Sequence, residues 1–200
     1  MSINVCNDRS MASITSLPSG ISAGSLVLLS TQTASSSATI DFTSNIDSTY
    51  KEYIFKFIDI HPATDSADFS FQADTGTNTS YNQTMTTTAF YSENQEGGSG
   101  SLGYSTGRDQ GQGTSFQQIA DDVGNGNDEC CAGTLHLFDP SNTTFVKHFI
   151  SKLHDYQSGN YSQTWFHAGY FNTTTALTRI RFKFSSGNID AGVIKMYGVL

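Results

Sequence analysis

The sequence predicts an all-β protein, a jelly-roll-like antiparallel β-sandwich with an extended N-terminal arm. Charged residues make up 14% of the 200 positions, well below the roughly 25% of an ordinary globular domain. Ser, Thr, Asn, Gln and Gly take their place, and the first three favour strands, turns and caps over helix interiors. Short apolar runs alternate with clusters of turn-forming residues along most of the chain, which is typical of sandwiches.

The chain divides into an arm and one domain. Residues 1–24 are mostly small and polar and are interrupted by Pro18, Gly20 and Gly24, so we expect an extended arm that is not part of the core. The remaining residues, 25–200, show no linker and no internal repeat. We therefore expect them to form a single β-sandwich domain.

In the first half of this domain the sequence predicts five strands, at Ser25–Ser30, Ala38–Phe42, Tyr50–Ile60, Asp68–Gln72 and Tyr81–Tyr91. The third gives the strongest signal, because alternate positions place Phe55 and Phe57 on one face and Ile60 on the other. His61 and Pro62 are expected to end it, since proline cannot donate a hydrogen bond to a neighbouring strand.

The second half begins with a segment that is poor in strand signals. Residues 92–114 contain seven glycines and few large apolar side chains, so we expect a long loop without one fixed conformation. Thr143–Leu153 fits two patterns, because Phe145 and Phe149 recur at helical spacing whereas the residues between them alternate as in a strand. A strand is favoured, and a helix stays the alternative. Four clearer strands are predicted at Thr134–Phe138, Gln163–Phe171, Leu177–Phe184 and Gly192–Val199.

The same alternation predicts which side chains fill the core, because every second residue of a half-buried strand faces inward. Nine residues are expected to be mostly buried. They are Leu28, Phe55, Phe57, Phe69, Leu135, Leu137, Ile180, Phe182 and Phe184.

Charge and cysteine content exclude several classes of function. The formal net charge is −8, and the ten Lys and Arg residues are scattered. Affinity for nucleic acid comes from clustered Lys and Arg, so we expect no nucleic-acid partner. No apolar run approaches the roughly 20 residues of a membrane-spanning helix, so we expect no membrane insertion. The three cysteines, Cys6, Cys130 and Cys131, are expected to stay unlinked thiols.

An acidic segment from residue 121 to residue 129 is the candidate metal site. Calcium takes about six to eight oxygen ligands, and carboxylates and amide carbonyls on a glycine-containing loop can supply them. The candidate calcium ligands are Asp121, Asp122, Asn125, Asn127 and Asp128. Their spacing does not match an EF-hand loop, so a solvated turn without a metal is the favoured alternative. No other cofactor is expected.

The sequence contains candidate residues for glycan binding but none for catalysis. Aromatic rings offer flat apolar surfaces to a ligand, and Tyr104, Tyr161 and Trp165 are the candidates for glycan binding. No catalytic residues are predicted, because the chain lacks the common nucleophile, zinc-protease and nucleotide-binding motifs. Gly107–Gly113 is rich in glycine, but no strong strand precedes it and no helix follows it, as a phosphate-binding loop requires.

Three stretches, Ser25–Phe71, Thr134–Leu153 and Gly169–Val199, carry a resemblance to a known group of proteins. They resemble a group of structural proteins from tailed phages of marine bacteria, cyanophages especially. The resemblance covers most of the chain after residue 25 and brings no catalytic residues with it. It implies a virion component that is made in the host cytoplasm without a signal peptide. Its implied partners are other copies of itself and other virion proteins.

Two functions from different classes are therefore expected. The first is a non-enzymatic virion structural protein, either a tail-fibre or appendage component or a capsid decoration protein. It would assemble through the arm at residues 1–24 and expose the sandwich. The alternative is a carbohydrate-binding β-sandwich module that recognises host surface glycans. A glycan-degrading enzyme is disfavoured, because no pair of catalytic carboxylates is apparent in the sequence.

Overall fold

The structure, a computed structural model, describes residues 25–200. The predicted arm, and Cys6 with it, lies outside these residues. The described residues form twelve strands and no helix, so they contain no helix that could span a membrane. In chain order the strands are β1 (Leu26–Thr33), β2 (Ile40–Phe42), β3 (Glu52–Pro62), β4 (Ala67–Thr75), β5 (Met85–Gln95), β6 (Gly100–Tyr104), β7 (Gln117–Val123), β8 (Cys131–Phe138), β9 (Lys147–Gln157), β10 (Tyr161–Phe171), β11 (Leu177–Phe184) and β12 (Ile189–Val199).

The strands pair in two antiparallel ladders that form the two layers of a sandwich. The large sheet has the order β6-β5-β10-β9-β8-β3-β12-β1. The small sheet has the order β2-β11-β4-β7. One residue pair, Val123 of β7 with Gln157 of β9, joins the two sheets. The prediction of an all-β, jelly-roll-like antiparallel β-sandwich is thereby confirmed.

Phenylalanine rings fill the space between the two sheets. The ring centroid of Phe57 on β3 lies 5.3 Å from that of Phe69 on β4 and 5.2 Å from that of Phe182 on β11. Phe55 lies 5.4 Å from Phe182. Both pairs of Phe57 meet edge to face, which is an arrangement that aromatic rings prefer. These rings supply a large part of the apolar burial that stabilises the sandwich.

The predicted core residues are buried, with one exception. Leu28 is 52% exposed, so its prediction is wrong. It lies on β1, the edge strand of the large sheet, whose register against β12 shifts between Leu28 and Ser30. Leu28 pairs with Tyr197 on the outer side of the sheet, and Leu29 packs against the core instead.

A β-bulge overturns the predicted orientation of Ile60. The register of β3 against β8 shifts between Phe57 and Ile60, and Asp59 has a left-handed φ of 51°. The extra residue of a bulge reverses the alternation of side chains. Ile60 is therefore buried on the same side as Phe57, whereas Ile58 is 39% exposed.

The glycine-rich middle of the chain is more regular than predicted. β5 continues to Gln95 and pairs with β6, so residues 92–104 form a hairpin and not an irregular loop. β7 is not predicted by the sequence, because its polar residues hide the alternation. The ambiguous segment Thr143–Leu153 enters strand β9 at Lys147. The helical alternative is therefore wrong.

Replacing Phe182 with alanine tests the aromatic core. Phe182 is fully buried, so the free energy of unfolding should fall by about 3–5 kcal/mol, as is typical of Phe→Ala in a core. Denaturant unfolding followed by circular dichroism measures the loss. Phe145→Ala is the matched control, because Phe145 is 68% exposed, and it should cost less than about 1 kcal/mol. Equal losses in both variants would contradict this assignment of the core.

Candidate functional site

A loop lies against the part of the large sheet that extends past the small sheet. The small sheet ends at β7, whereas the large sheet continues through β10, β5 and β6. Residues 105–116, which we call the covering loop, are tied to β5 at Thr87. Thr87 N donates to Gln110 O and Gln110 N donates to Thr87 Oγ1, both at 2.8 Å. Gln117 Nε2 of β7 donates to Arg108 O at 2.8 Å, so the loop is bonded to both sheets.

Polar side chains interrupt the apolar inner face of the large sheet. In β9 and β10 the odd-numbered residues face inward, and five of them are buried polar or charged residues. Lys147 lies at the start of β9, and the other four are Ser151, Asp155, Gln163 and His167. We call these four the inner polar face. Ser151 lies opposite His167 and Asp155 lies opposite Gln163 across the β9–β10 pair. Buried polar groups in proteins normally have hydrogen-bond partners, so a member of the inner polar face without a partner is unusual.

One member of the inner polar face is well bonded. Gln163 Nε2 donates to Glu93 Oε2 at 2.9 Å, and Gln163 Oε1 accepts from Trp165 Nε1 at 2.9 Å. Glu93 Oε1 also accepts from Ser101 Oγ at 2.7 Å. This chain of bonds starts on the β5–β6 hairpin and holds the indole of Trp165. The indole in turn stacks on the ring of His167, with the two centroids 5.5 Å apart.

The other three members lack partners. Within residues 25–200, no hydrogen-bond partner is found for either carboxylate oxygen of Asp155, either ring nitrogen of His167 or the hydroxyl of Ser151. Ser151 and His167 face each other but are not hydrogen-bonded, and both are buried. They therefore do not form a nucleophile–base pair, which requires a hydrogen bond and access for a substrate.

Burial shifts the titration of both ionisable members. Burial, together with the negative charges of Asp121 and Asp122, raises the pKa of Asp155 to about 8. Burial, together with the positive charge of Arg108, lowers the pKa of His167 to about 3. His167 is therefore neutral at pH 7, and the protonated form of Asp155 is favoured there.

Three aspartates converge where β4 and β7 approach β9. One carboxylate oxygen from each of Asp68, Asp121 and Asp122 lies within 4.8 Å of the other two, and we call these residues the acidic cluster. The guanidinium of Arg108 reaches in from the covering loop, donates to Asp121 and lies 3.8 Å from Asp68. Gln118 Nε2 donates to Asp68 Oδ2 at 2.5 Å. Burial is the main cause that raises the pKa of Asp121 and of Asp122.

Main-chain contacts hold the acidic cluster beside β9. Ser158 N donates to Asp122 O at 3.0 Å, and Asp122 N donates to Asp68 Oδ1 at 3.1 Å. Asp122 has a left-handed φ of 48°, which is uncommon for a residue with a side chain. The register of β7 against β4 shifts at the same place. A bulge therefore places Asp121 and Asp122 next to each other on one side of the junction.

The five predicted calcium ligands fall into two groups. Asp121 and Asp122 belong to strand β7 and to the acidic cluster, and not to a loop as predicted. Asn125, Asn127 and Asp128 lie in the turn between β7 and β8, and none of them belongs to the cluster. Within residues 25–200 the acidic cluster is the one group of three His, Cys, Asp or Glu side chains with this spacing.

The three predicted glycan-binding residues do not share a surface. Tyr104 pairs with Phe90 on the outer side of the large sheet and is 55% exposed. Trp165 is only 3% exposed and lies inside the sandwich, so its ring is not available to an external sugar. Tyr161 is half-buried and lies on the same inward side of β10 as Trp165. The alternation of β10 therefore separates these two residues from Tyr104.

The outer side of the large sheet carries a band of aromatic, aliphatic and basic side chains. Three adjacent cross-strand rows, which we call the outer face, define it. They are Tyr104, Phe90, Phe166, Lys152, Thr134, Lys56 and Lys195; Thr88, Ala168, Ile150, His136, Ile54, Tyr197 and Leu28; and Leu102, Ser92, Thr164, His154 and Ala132.

The outer face exposes large apolar side chains. Leu102 is 76% exposed, Ile150 and Leu28 are each 52% exposed, and Phe90 is 45% exposed. The rings of Phe90 and Phe166 stack with their centroids 4.8 Å apart. A contiguous exposed apolar patch on a folded protein usually marks a surface that contacts another molecule.

The outer face also differs in charge from the whole chain. Its three rows contain three lysines, Lys56, Lys152 and Lys195, and no carboxylate, and Glu52 in the adjoining row bonds to His136. The chain has a net charge of −8, so the residues outside this face sum to −11. Lys152 Nζ lies 5.3 Å from the ring centroid of Phe166, and Lys56 Nζ lies 5.3 Å from that of Tyr197.

Comparison with known proteins finds no matching protein family, no matching curated protein and no matching solved structure. The resemblance to phage structural proteins stays a prediction.

Sequence reasoning missed Asp68 of the acidic cluster, its partner Arg108, and the two ionisable members of the inner polar face, Asp155 and His167. Asp155 and His167 occupy inward positions of alternating strands, and a polar residue at such a position is a signal that the sequence contains. Asp68 and Arg108 leave no comparable signal, because they meet Asp121 only through the pairing of β4 with β7 and the path of the covering loop.

The pH dependence of stability tests the burial of His167. Its pKa of about 3 in the folded protein lies below the value of about 6.5 in an unfolded chain. Between these values the unfolded state binds a proton that the native state does not. Protonation of His167 in the unfolded state therefore lowers the free energy of unfolding as the pH falls from 6.5 towards 3, by up to about 1.4 kcal/mol per pH unit. Above pH 6.5 this loss is absent.

His167→Gln should remove that slope, which denaturant unfolding at several pH values between 3.5 and 7 (roughly the window set by the two pKa values) would reveal. His148→Gln is the control, because His148 is exposed on the outer side of β9, and its profile should match that of the unchanged protein. An unchanged slope in His167→Gln would show that His167 reaches water.

Proposed function

We propose that this protein is a non-enzymatic structural subunit of a phage particle. It assembles with other copies of itself through the outer face. The observation that carries the proposal is the combination of exposed apolar side chains and lysines on that face, in a chain whose remaining surface is acidic. The resemblance of the sequence to phage structural proteins agrees with this function.

Charge complementarity favours a second copy as the occupant of the outer face. The acidic residues Asp59, Asp128 and Glu129 line a cleft of about 400 Å³ where β3 meets the turn between β7 and β8. A neighbouring copy could present this cleft to the lysines of the outer face, as patches of opposite charge do across interfaces. Such a contact joins two different surfaces, and it therefore generates rings or filaments.

The geometry of the rings favours a protein partner over a glycan. A sugar stacks on the open face of an aromatic ring, but one face of Phe166 is covered by Phe90 and Lys152 lies over its ring. Tyr104 has a more open ring, yet its hydroxyl already donates to Asp109 Oδ2 at 2.5 Å. Glycan recognition, the alternative function, would therefore have to centre on Tyr104.

The interior supports a binding or structural role and not a catalytic one. Asp155 and His167, whose pKa values are strongly shifted by burial, are buried away from any substrate. The four glutamates of the chain contact separate partners: Glu52 pairs with His136, Glu93 with Ser101 and Gln163, Glu96 with Tyr156, and Glu129 with Gly126 N. No carboxylate pair for glycoside cleavage stands out among them.

Replacing Ile150 with aspartate tests the assembly surface. The change puts a negative charge in the middle of the exposed apolar band, beside Lys152 and away from the core. We expect the unchanged protein to form concentration-dependent oligomers. Ile150→Asp should reduce association at least tenfold, an expected loss of about 1.4 kcal/mol. Light scattering coupled to size-exclusion chromatography measures both.

Ser186→Asp is the matched control, because Ser186 is exposed in the turn after β11 and the change adds the same charge elsewhere. It should leave association unchanged. A protein that stays monomeric at every concentration would contradict assembly through copies of itself. Binding to a glycan array that Tyr104→Ala abolishes would favour the carbohydrate-binding alternative instead.

A further inference from the structure

We propose that the open edge of strand β6 is a pairing site for a second copy of this chain, whose own β6 lies antiparallel to it. The large sheets of the two copies then form one continuous sheet across a two-fold axis. The contact uses the main chain at the edge of the sheet, so it does not rest on the assembly through the outer face proposed above.

Strand β6 is an unprotected sheet edge. Its residues, Gly100–Tyr104, include no charged residue and no proline, and β6 pairs with β5 alone. Proteins usually protect an edge strand with charges, prolines, bulges or a very short length, because an open edge readily pairs with another chain. An edge without such protection is a place where a further strand can add to the sheet.

The other sheet edges in residues 25–200 are interrupted, short or covered. Strand β1 has a register shift between Leu28 and Ser30. Strand β2 is three residues long and contains Asp41. Strand β7 contains Asp121 and Asp122 and is bonded to the covering loop. Among these four edges, β6 is therefore the one that is open to a partner strand.

The hydrogen bonds between β5 and β6 show which main-chain groups face the open edge. Gln95 N donates to Ser99 O at 2.8 Å at one end of the pair, and Ser105 N donates to Ala89 O at 2.9 Å at the other. Hydrogen-bonded and non-hydrogen-bonded residue pairs alternate along antiparallel strands. The odd-numbered residues of β6 therefore bond to β5.

The even-numbered residues of β6 direct their main-chain groups away from β5. These are Gly100, Leu102 and Tyr104, which lie opposite β5 in non-hydrogen-bonded pairs. Their N–H and C=O groups point to the open side, where no other strand of the described chain pairs with them. They form a row of donors and acceptors that a second strand can satisfy.

The row is self-complementary when two copies of β6 pair about Leu102. Leu102 then lies opposite Leu102 of the second copy, and Gly100 lies opposite Tyr104 of that copy, with the reverse pair on the other side of the axis. The three pairs make about six main-chain hydrogen bonds. The same surface serves both copies, as a two-fold contact requires.

The side chains of β6 also suit this register. Leu102 is 76% exposed, and across the axis it contacts its own counterpart, which removes apolar surface from water. Tyr104 is 55% exposed and lies opposite a glycine, which leaves room for its ring. Aromatic side chains are a known means of covering glycine at a sheet edge.

Electrostatic repulsion at the axis is weak although each copy has a net charge of −8. The two strands nearest the axis, β5 and β6, contain one charged residue, Glu93. It is separated from its counterpart by three strand spacings, at least about 14 Å. That distance exceeds the screening length of about 8 Å at physiological ionic strength.

Disulfide trapping tests the pairing and its register. Leu102→Cys is made in the full chain with Cys6 and Cys130 replaced by serine, and the buried Cys131 is kept. In the proposed register the two copies of residue 102 have Cα atoms about 5.5 Å apart, within the range of about 4.4–6.8 Å for a disulfide. Mild oxidation should therefore give a covalent dimer on a non-reducing gel.

Tyr104→Cys in the same background is the matched control for the register. Tyr104 is exposed on the same strand, but its counterpart lies roughly 14 Å away along the paired strands. It should stay monomeric on the gel. Equal cross-linking of the two variants, or none in Leu102→Cys, would overturn the proposal.

Leu102→Pro tests whether main-chain bonds hold the two copies together. Proline removes the N–H that faces the second copy and leaves the bonds to β5 in place, and edge strands tolerate it at such positions. Leu102→Ala is the matched control, because it shortens the same side chain and keeps the N–H. Circular dichroism should show that both variants fold.

Both changes are made in the Ile150→Asp background, where assembly through the outer face is already weakened, and association is measured by sedimentation velocity. A five-residue contact is smaller than most stable interfaces, so we expect a weak, concentration-dependent dimer. Leu102→Pro should weaken it at least about tenfold relative to Leu102→Ala. Equal association of the two variants would overturn pairing through the edge, whereas the effect of Ile150→Asp alone tests the outer face.

Discussion

The main-chain junction at Val123 and Gln157 sets the position of one sheet against the other. Over most of their area the sheets touch through phenylalanine rings, and apolar contact is not directional. Hydrogen bonds are directional, so the bonds around this junction determine where the end of β7 stands relative to β9. Asp121 and Asp122 of the acidic cluster lie directly before the junction on β7, and Asp155 precedes it by two residues on the antiparallel strand β9. Main-chain hydrogen bonds on both sides of the junction, Ser158 N to Asp122 O and Gly124 N to Tyr156 O, fix these two strand ends together.

Buried polar groups without partners lower the stability of this sandwich. An unpartnered buried polar group costs about 1–3 kcal/mol, and Ser151, Asp155 and His167 each carry at least one. The aromatic core between β3, β4 and β11 offsets such costs, because each buried ring brings a large apolar area out of water. Sequences usually break the rules of burial where a site requires it. The inner polar face is best understood in that way, together with the acidic cluster next to it.

The alternation of apolar and polar residues predicted the features of this fold that depend on a single strand. The alternation of Phe55 with Phe57, and of Ile180 with Phe182, predicted which side of β3 and β11 is buried, since strand geometry has a period of two. The predictions for Ile60 and Leu28 failed at register shifts, which depend on the partner strand. Strand β7 was missed because Gln117 and Asp121 face an interior that is itself polar. For the same reason the sequence predicted Asp121 and Asp122 as metal ligands but not Asp68, which a neighbouring strand brings to them.

The outer face and the inner polar face are built on the same strands. In β9, Ile150 and Lys152 face outward, whereas Ser151 and Asp155 face inward. The same alternation in β10 puts Phe166 on the outer face and His167 inside. A change that orders the interior of β9 therefore acts on the backbone that also positions the outer face, without any further connecting element.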